Sequence, residues 1–235
     1  KFFSVNAAYF MSMFFFLSAY FLPQSISGKG PKRFLKERLI RIGIPLLLVF
    51  LVMIPILMYL YYINFRNYEP ISFLSYYVNI FFGLGNEPAN WSGPSWPDMQ
   101  FGHLWFLQHL LVYALVFSVW TFFTSKKSTK EYDGNIKLYQ ILSLWLVVSL
   151  VTFTTRIWFP IDYWTGFLGF IQTEFAHVPQ YVSFFCLGII AYHRKWFLTM
   201  GTRAGYNWLI IGVSIVIILY FGGNTVDPFL LKGGP

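Results

Sequence analysis

The sequence predicts an all-α polytopic membrane protein, a transmembrane helical bundle, and three observations carry that prediction. Of 235 residues, 57% are hydrophobic and 23% aromatic, whereas only 11% are charged. Soluble domains carry about 25% charged residues, so this chain has too little polar surface to cover a water-soluble globule. Its apolar residues also arrive in blocks, and about 20 helical residues suffice to cross a hydrocarbon core of roughly 30 Å. Finally, the charges fall between the blocks and alternate from segment to segment. The excess of 17 Lys and Arg over 9 acids therefore fits membrane topology and not a nucleic-acid face.

Six spans are predicted, and one partial membrane domain is expected over residues 1–235. The first span is about Phe2–Leu22. A turn follows, Gly28–Arg41, holding Lys29, Lys32, Arg33, Lys36, Arg38 and Arg41 against the single acid Glu37. Basic residues between two apolar runs mark a cytoplasmic segment. The second span, Leu39–Ile63, contains Pro45 and Pro55. In a membrane helix neighbours re-satisfy the carbonyls that proline frees, so kinks are expected and not a break. Within the outer segment Asn64–Gly102, Ile71–Phe82 is apolar but too short to span and reads as a re-entrant or interfacial helix. The Gly-, Pro- and Trp-rich stretch after it reads as a structured cap loop.

The remaining spans are Leu104–Thr124, Leu138–Phe159, Pro179–Tyr192 and Trp208–Phe221. The last two, at 14 residues each, require tilt, extended boundaries or a thin bilayer. Tyr61, Tyr62, Trp158, Trp164 and Trp208 crowd span ends as an interfacial belt would. Gly28–Arg41, Ser125–Lys137 and His193–Asn207 together hold 13 of the 17 basic residues and 3 of the 9 acids. That bias places the first span running inward from outside, so a preceding helix is expected. The lone Cys186 sits in an apolar run and reads as a small core residue, with neither a disulfide framework nor a metal cluster.

Few residues here carry chemistry. Arg38 and Arg41, three apart on one helical face, join Arg33 and Lys36 in a cluster suited to phosphate. Charge alone leaves two readings open: topological anchoring on lipid headgroups, or a site for a phosphorylated donor such as coenzyme A. His103 opens the third span at the edge of the hydrocarbon, where an imidazole can act as a general base towards a hydroxyl. His109 lies about 120° round the helix and about 9 Å along it, which excludes a two-His metal pair. It stands instead within a turn of Trp105 and Tyr113. Either histidine can equally serve an interhelical hydrogen bond. Glu174 and His177, three apart before Pro179, form a weaker candidate acid–imidazole pair. The scarcity of charges deep in the spans argues against an ion-coupled transporter.

The ordered blocks FFFLSAYF, KGPKRFLKERLIRIGIP, GHLWFLQHLL and VPQYVSFFCLGIIAYHRKW, from Phe10 to Trp196, resemble the acyltransferase 3 family, nearest its glucans biosynthesis protein C-like branch. The resemblance implies an enzyme of about ten helices in a bacterial inner membrane, with segments 28–41, 125–137 and 193–207 cytoplasmic. It implies transfer of an acyl group, acetyl or succinyl, from cytoplasmic acyl-CoA to a hydroxyl of a glycan or other extracytoplasmic acceptor, with no bound cofactor and no metal. Arg33, Lys36, Arg38 and Arg41 then belong to the donor site, and Trp105 and His109 to the acceptor pocket. The Arg and His that the family spaces along its first membrane helix have no counterpart here, so His103 is either base or support. The alternatives are a small-molecule exporter, or a non-catalytic membrane scaffold of the same fold.

Overall fold

The computed structural model describes residues 2–66, 68–89, 91–93, 104–124, 138–161, 163–167, 171–199 and 201–222. Among them, five helices are long and apolar enough to cross a membrane: Phe10–Lys29, Pro31–Phe65, Trp105–Thr124, Tyr139–Trp158 and Phe175–His193. A further helix, Thr202–Gly222, carries a shorter apolar stretch, Gly205–Ile218. The all-α bundle expected from composition is what forms. Of the two spans predicted at 14 residues, the fifth reaches membrane length by extending its boundaries, and the sixth lies within Thr202–Gly222 with the shorter apolar stretch. The fifth gains a 3₁₀ turn, Phe175–His177, running straight into Val178–His193. Pro179 falls in the first turn there, where a missing N–H goes unneeded.

We label the elements α1 (Phe2–Tyr20), α2 (Leu22–Lys29), α3 (Pro31–Phe65), α4 (Phe73–Ser75), α5 (Trp105–Thr124), α6 (Leu138–Trp158), β1 (Trp164–Phe167), β2 (Ile171–Glu174), α7 (Val178–His193), α8 (Trp196–Thr199) and α9 (Thr202–Gly222). The described residues cluster in two compact units. One draws on Lys1–Gly30, Thr121–Tyr163 and Glu174–Pro235, the other on Pro31–Trp120 and Trp164–Thr173.

In the first unit α1 packs along α7. Ser12, Phe15 and Ala19 are buried at helical spacing on α1, and Tyr181, Phe185, Gly188 and Ala191 on α7. Phe15 meets Tyr181 at a ring separation of 5.0 Å, and Tyr20 meets Tyr192 at 5.7 Å. Contacts that advance together along both chains make the helices parallel, as the charge-based threading requires of a first and a fifth span. Gly188 stands at the closest approach, where a Cβ would run into the Phe16 carbonyl oxygen and come within 2.9 Å of the Ala19 Cβ. Small residues let membrane helices meet backbone to backbone. The opposite face of α7, Val182, Cys186 and Ile190, is exposed. Cys186 is thus on the surface of the helix and not in the core that the apolar run around it predicts.

In the second unit α3 is a single rod of 35 residues, about 52 Å long at 1.5 Å per residue. That exceeds the hydrocarbon thickness, leaving its basic first turns outside. Two π turns, Leu39–Gly43 and Val49–Met53, interrupt it. Each contains the residue four before a proline, Arg41 for Pro45 and Leu51 for Pro55, where the pyrrolidine ring collides with the preceding turn. The Tyr77 hydroxyl donates to the Leu51 carbonyl at 3.1 Å, so the group that Pro55 strands finds a new partner, as the two prolines predict.

Tyr77 comes from the short apolar stretch 71–82. The Ser72 hydroxyl accepts from the Ser75 N–H at 3.2 Å and caps α4, which continues as a π turn, Tyr76–Phe81. This segment folds back along α3: Phe73 meets Tyr59 at 5.3 Å, Tyr76 meets Tyr59 and Tyr62 at 5.5 Å, and Phe81 meets Phe50 at 5.4 Å. The pairing retreats from the end of α3 to its middle, the geometry expected of a re-entrant helix. Leu46, Phe50, Ile54, Tyr62, Tyr76, Ile80 and Phe81 form its core.

The hairpin β1–β2 was not evident in the sequence. Three residues join its strands, a connection only an antiparallel pair allows.

Candidate active site

The basic turn is two short helical runs and not a loop. Gly30, at φ +76°, donates its N–H to the Ile26 carbonyl at 2.7 Å and closes α2; that conformation favours glycine. Pro31 then starts α3. Its first two turns are amphipathic, with Phe34 buried and Lys32, Arg33 and Lys36 exposed. Arg33 Nε donates to Glu37 Oε1 at 3.2 Å. The Arg38 guanidinium lies 5.4 Å from the centre of the Phe34 ring, a cation–π contact. Arg38 is half-buried and Arg41 exposed. The π turn Leu39–Gly43 begins between them, and the backbone on either side of it stays in the right-handed helical region.

His103 lies outside the described residues. His109 is buried, 5% exposed, with both ring nitrogens engaged. Nε2 lies 3.1 Å from the Gln172 carbonyl and 3.3 Å from Thr173 Oγ1, while Nδ1 lies 3.3 Å from the Tyr113 hydroxyl. A carbonyl only accepts, which assigns the proton to Nε2 and leaves Nδ1 to accept from Tyr113. One residue earlier, Gln108 Oε1 accepts from the Gln172 N–H at 3.2 Å. Two consecutive residues of α5 therefore hold both backbone groups of Gln172, and Trp105 packs edge-on against Trp164 at 5.4 Å. Trp105, Gln108 and His109 together fasten the hairpin.

That fastening builds one wall of a cleft of about 580 Å³. The end of α3 supplies Tyr61, Tyr62 and Arg66, the cap loop Trp91 and Ser92, and the hairpin Trp164 and Gln172. Arg66 Nη1 donates to Ser92 Oγ at 3.1 Å, with the guanidinium 5.2 Å from the Tyr61 ring centre. Tyr76, also in the lining, is a buried phenol outside the spanning helices. Burial first, and then its neighbour Tyr62, push its pKa up to about 12, so it stays a neutral hydroxyl. Sequence reasoning missed this cleft. Tyr61, Tyr62 and Trp164 were legible as aromatic span ends, but their convergence needs the hairpin.

Glu174 and His177 do come together in the first unit, with Nδ1 2.9 Å from Oε1 and the carboxylate off the direction of the ring N–H. The imidazole stacks on Tyr181 at 5.8 Å, and Glu174 is buried. Among the described residues no group of three His, Cys, Asp or Glu is placed to hold a metal.

Neither the curated proteins nor the solved structures contain a significant match to the chain. The family model described as an acyltransferase domain matches residues 1–230, nearly the whole chain. The chain belongs to the acyltransferase 3 family of membrane acyltransferases.

Proposed function

We propose that the protein is a membrane O-acyltransferase that moves an acetyl or succinyl group from cytoplasmic acyl-CoA to a hydroxyl of a glycan or other extracytoplasmic acceptor. The observation carrying this reading is the start of α3, which buries Phe34 while presenting Lys32, Arg33 and Lys36 at the root of a membrane helix, with Arg38 and Arg41 one turn on. Coenzyme A offers several phosphate charges, and guanidinium forks bind phosphate through paired charge-assisted bonds. The positive-inside bias puts these groups on the cytoplasmic face, of the bacterial inner membrane in the glucan-modifying branch that the sequence blocks resemble.

In the chemistry, an imidazole takes the proton of the acceptor hydroxyl as its oxygen attacks the thioester carbonyl. The C–O ester bond forms, the C–S bond breaks, and coenzyme A leaves as a thiolate that takes up the proton. His103 is the first candidate for this base. His177, with Nδ1 2.9 Å from the Glu174 carboxylate, is the second.

The test is transfer of radiolabel from acyl-CoA in membranes bearing the full-length protein. Arg38→Gln with Arg41→Gln should raise the donor KM by about ten- to a hundredfold, since a lost charge-assisted bond costs about 1.5–3 kcal/mol. Insertion should be intact. Donor dependence unchanged in the double variant excludes the basic turn as the donor site. Substrate movement without label transfer favours the exporter.

A further inference from the structure

We propose that the cleft between the end of α3, the cap loop and the hairpin binds the acceptor, and that this acceptor is a saccharide carrying an anionic substituent. The inference rests on the acyltransferase reading above and adds to it a place and a charge. At about 580 Å³ the cleft falls within the usual 300–1,000 Å³ range of ligand pockets.

Its two indoles are braced from behind. Trp91 packs on Tyr68 at 5.5 Å and Tyr62 at 6.1 Å, and Trp164 on Trp105 at 5.4 Å. Rings already fixed by packing lose little freedom when a ligand stacks on them. The C–H face of a pyranose, with its partly positive hydrogens, suits the negative face of such a ring. Around the indoles stand groups suited to sugar hydroxyls: Ser92, Gln172 and the neutral phenol of Tyr76. A long acyl chain would leave these polar groups without partners.

Arg66 sets the charge. Among the described residues it is the one ionised side chain in the lining. Its neighbours Ser92 and Tyr61 position it without neutralising it. A guanidinium has five N–H donors, more than one serine hydroxyl takes up, so a carboxylate or phosphate can be held by the remaining fork. A single cation matches a single anionic group and not the several phosphates of coenzyme A, for which the basic start of α3 is the better match.

The test is equilibrium binding to the full-length protein in nanodiscs of zwitterionic lipid, without acyl donor, followed by tryptophan fluorescence. The probes are three oligosaccharides differing only in the terminal unit: a neutral hexose, a hexuronate, and a hexose phosphate. Either anionic probe should bind about tenfold tighter than the neutral one. Arg66→Gln should abolish that preference, Arg66→Lys should restore part of it, and Trp91→Phe should keep more affinity than Trp91→Ala for all three. A carboxylate-only or phosphate-only preference supports the proposal and names the substituent. Equal affinity for charged and neutral probes, or a preference that survives Arg66→Gln, overturns it. Displacement by phosphatidylglycerol with no saccharide binding overturns it too, by giving Arg66 to a lipid headgroup. Transfer of label to a hydroxyl acceptor without binding of any probe defeats the cleft assignment alone. Probe binding with the expected Arg66 dependence, but no transfer from any donor, upholds the cleft and counts against the enzyme.

Discussion

Gly188→Ala is expected to destabilise the protein by roughly 1–3 kcal/mol, against the usual direction of a glycine-to-alanine change in a helix. Helix propensity alone favours alanine by about 1 kcal/mol. At Gly188 the added methyl meets the Phe16 carbonyl oxygen, the Ala19 Cβ at 2.9 Å and the Tyr20 nitrogen at 3.0 Å. Two of these three are backbone atoms of α1, which cannot swing aside as a side chain would. The helices must separate, and overpacking of this kind costs about 1–3 kcal/mol or more. Gly188→Val should go further and disrupt the α1–α7 pair. Gly212 on α9 is the control, because a Cβ there meets nothing within 4 Å. Gly212→Ala should be neutral or stabilising by up to about 1 kcal/mol. Thermal unfolding of the purified variants checks the pair, and equal melting temperatures for the two alanine variants would contradict this packing.

His109→Ala should release the hairpin from α5. The change removes the partner of the Gln172 carbonyl, of Thr173 Oγ1 and of the Tyr113 hydroxyl from a site where the imidazole is 5% exposed. Leaving buried polar groups unsatisfied costs about 1–3 kcal/mol each in soluble proteins; side-chain bonds between membrane helices average nearer 0.6 kcal/mol. A total of roughly 2–4 kcal/mol follows once the empty space is included, most of it local to the hairpin. Amide exchange of Trp164–Phe167 and Ile171–Thr173 should therefore accelerate while α1 and α7 keep their protection. In activity, the acceptor KM should rise and the donor KM should not. His109→Gln can still donate to the Gln172 carbonyl, so it should recover part of the protection. Unchanged exchange in His109→Ala would remove the positioning role and return His109 to an ordinary interhelical bond.

Much of this architecture was legible before any coordinates, because bilayer physics is written in composition. Length and apolarity locate the spanning helices, and charge alternation threads them; the parallel run of α1 and α7 agrees with that threading. Pro45 and Pro55 announced the distortions of α3, and Ile71–Phe82 was too short to cross. What stayed hidden depends on contacts between residues far apart in sequence. The hairpin strands are four residues each, shorter than any periodicity can register. Their position is set by Gln108 and His109, which lie more than 60 residues earlier. Cys186 misled because hydropathy gives an apolar run but not which face of it meets lipid. Helical spacing placed Arg38 and Arg41 together at the entry to α3, whereas the ring of Phe34 beneath Arg38 became visible only in the structure. At the site, the sequence located the basic turn and the aromatic residues near Trp105, whereas the cleft required Arg66, Trp91 and Trp164 to meet.

The central claim is that an acyl group passes from a donor on the basic side to a hydroxyl on the other side. Sealed vesicles of known orientation bearing the full-length protein test it most directly, with radiolabelled acyl-CoA and acceptor supplied on chosen faces. The account predicts label on the acceptor only when acyl-CoA is on the face carrying the α2–α3 turn and the acceptor is on the opposite face. Transfer that requires both substrates on the same face, or none in any arrangement with correctly inserted protein, would contradict it.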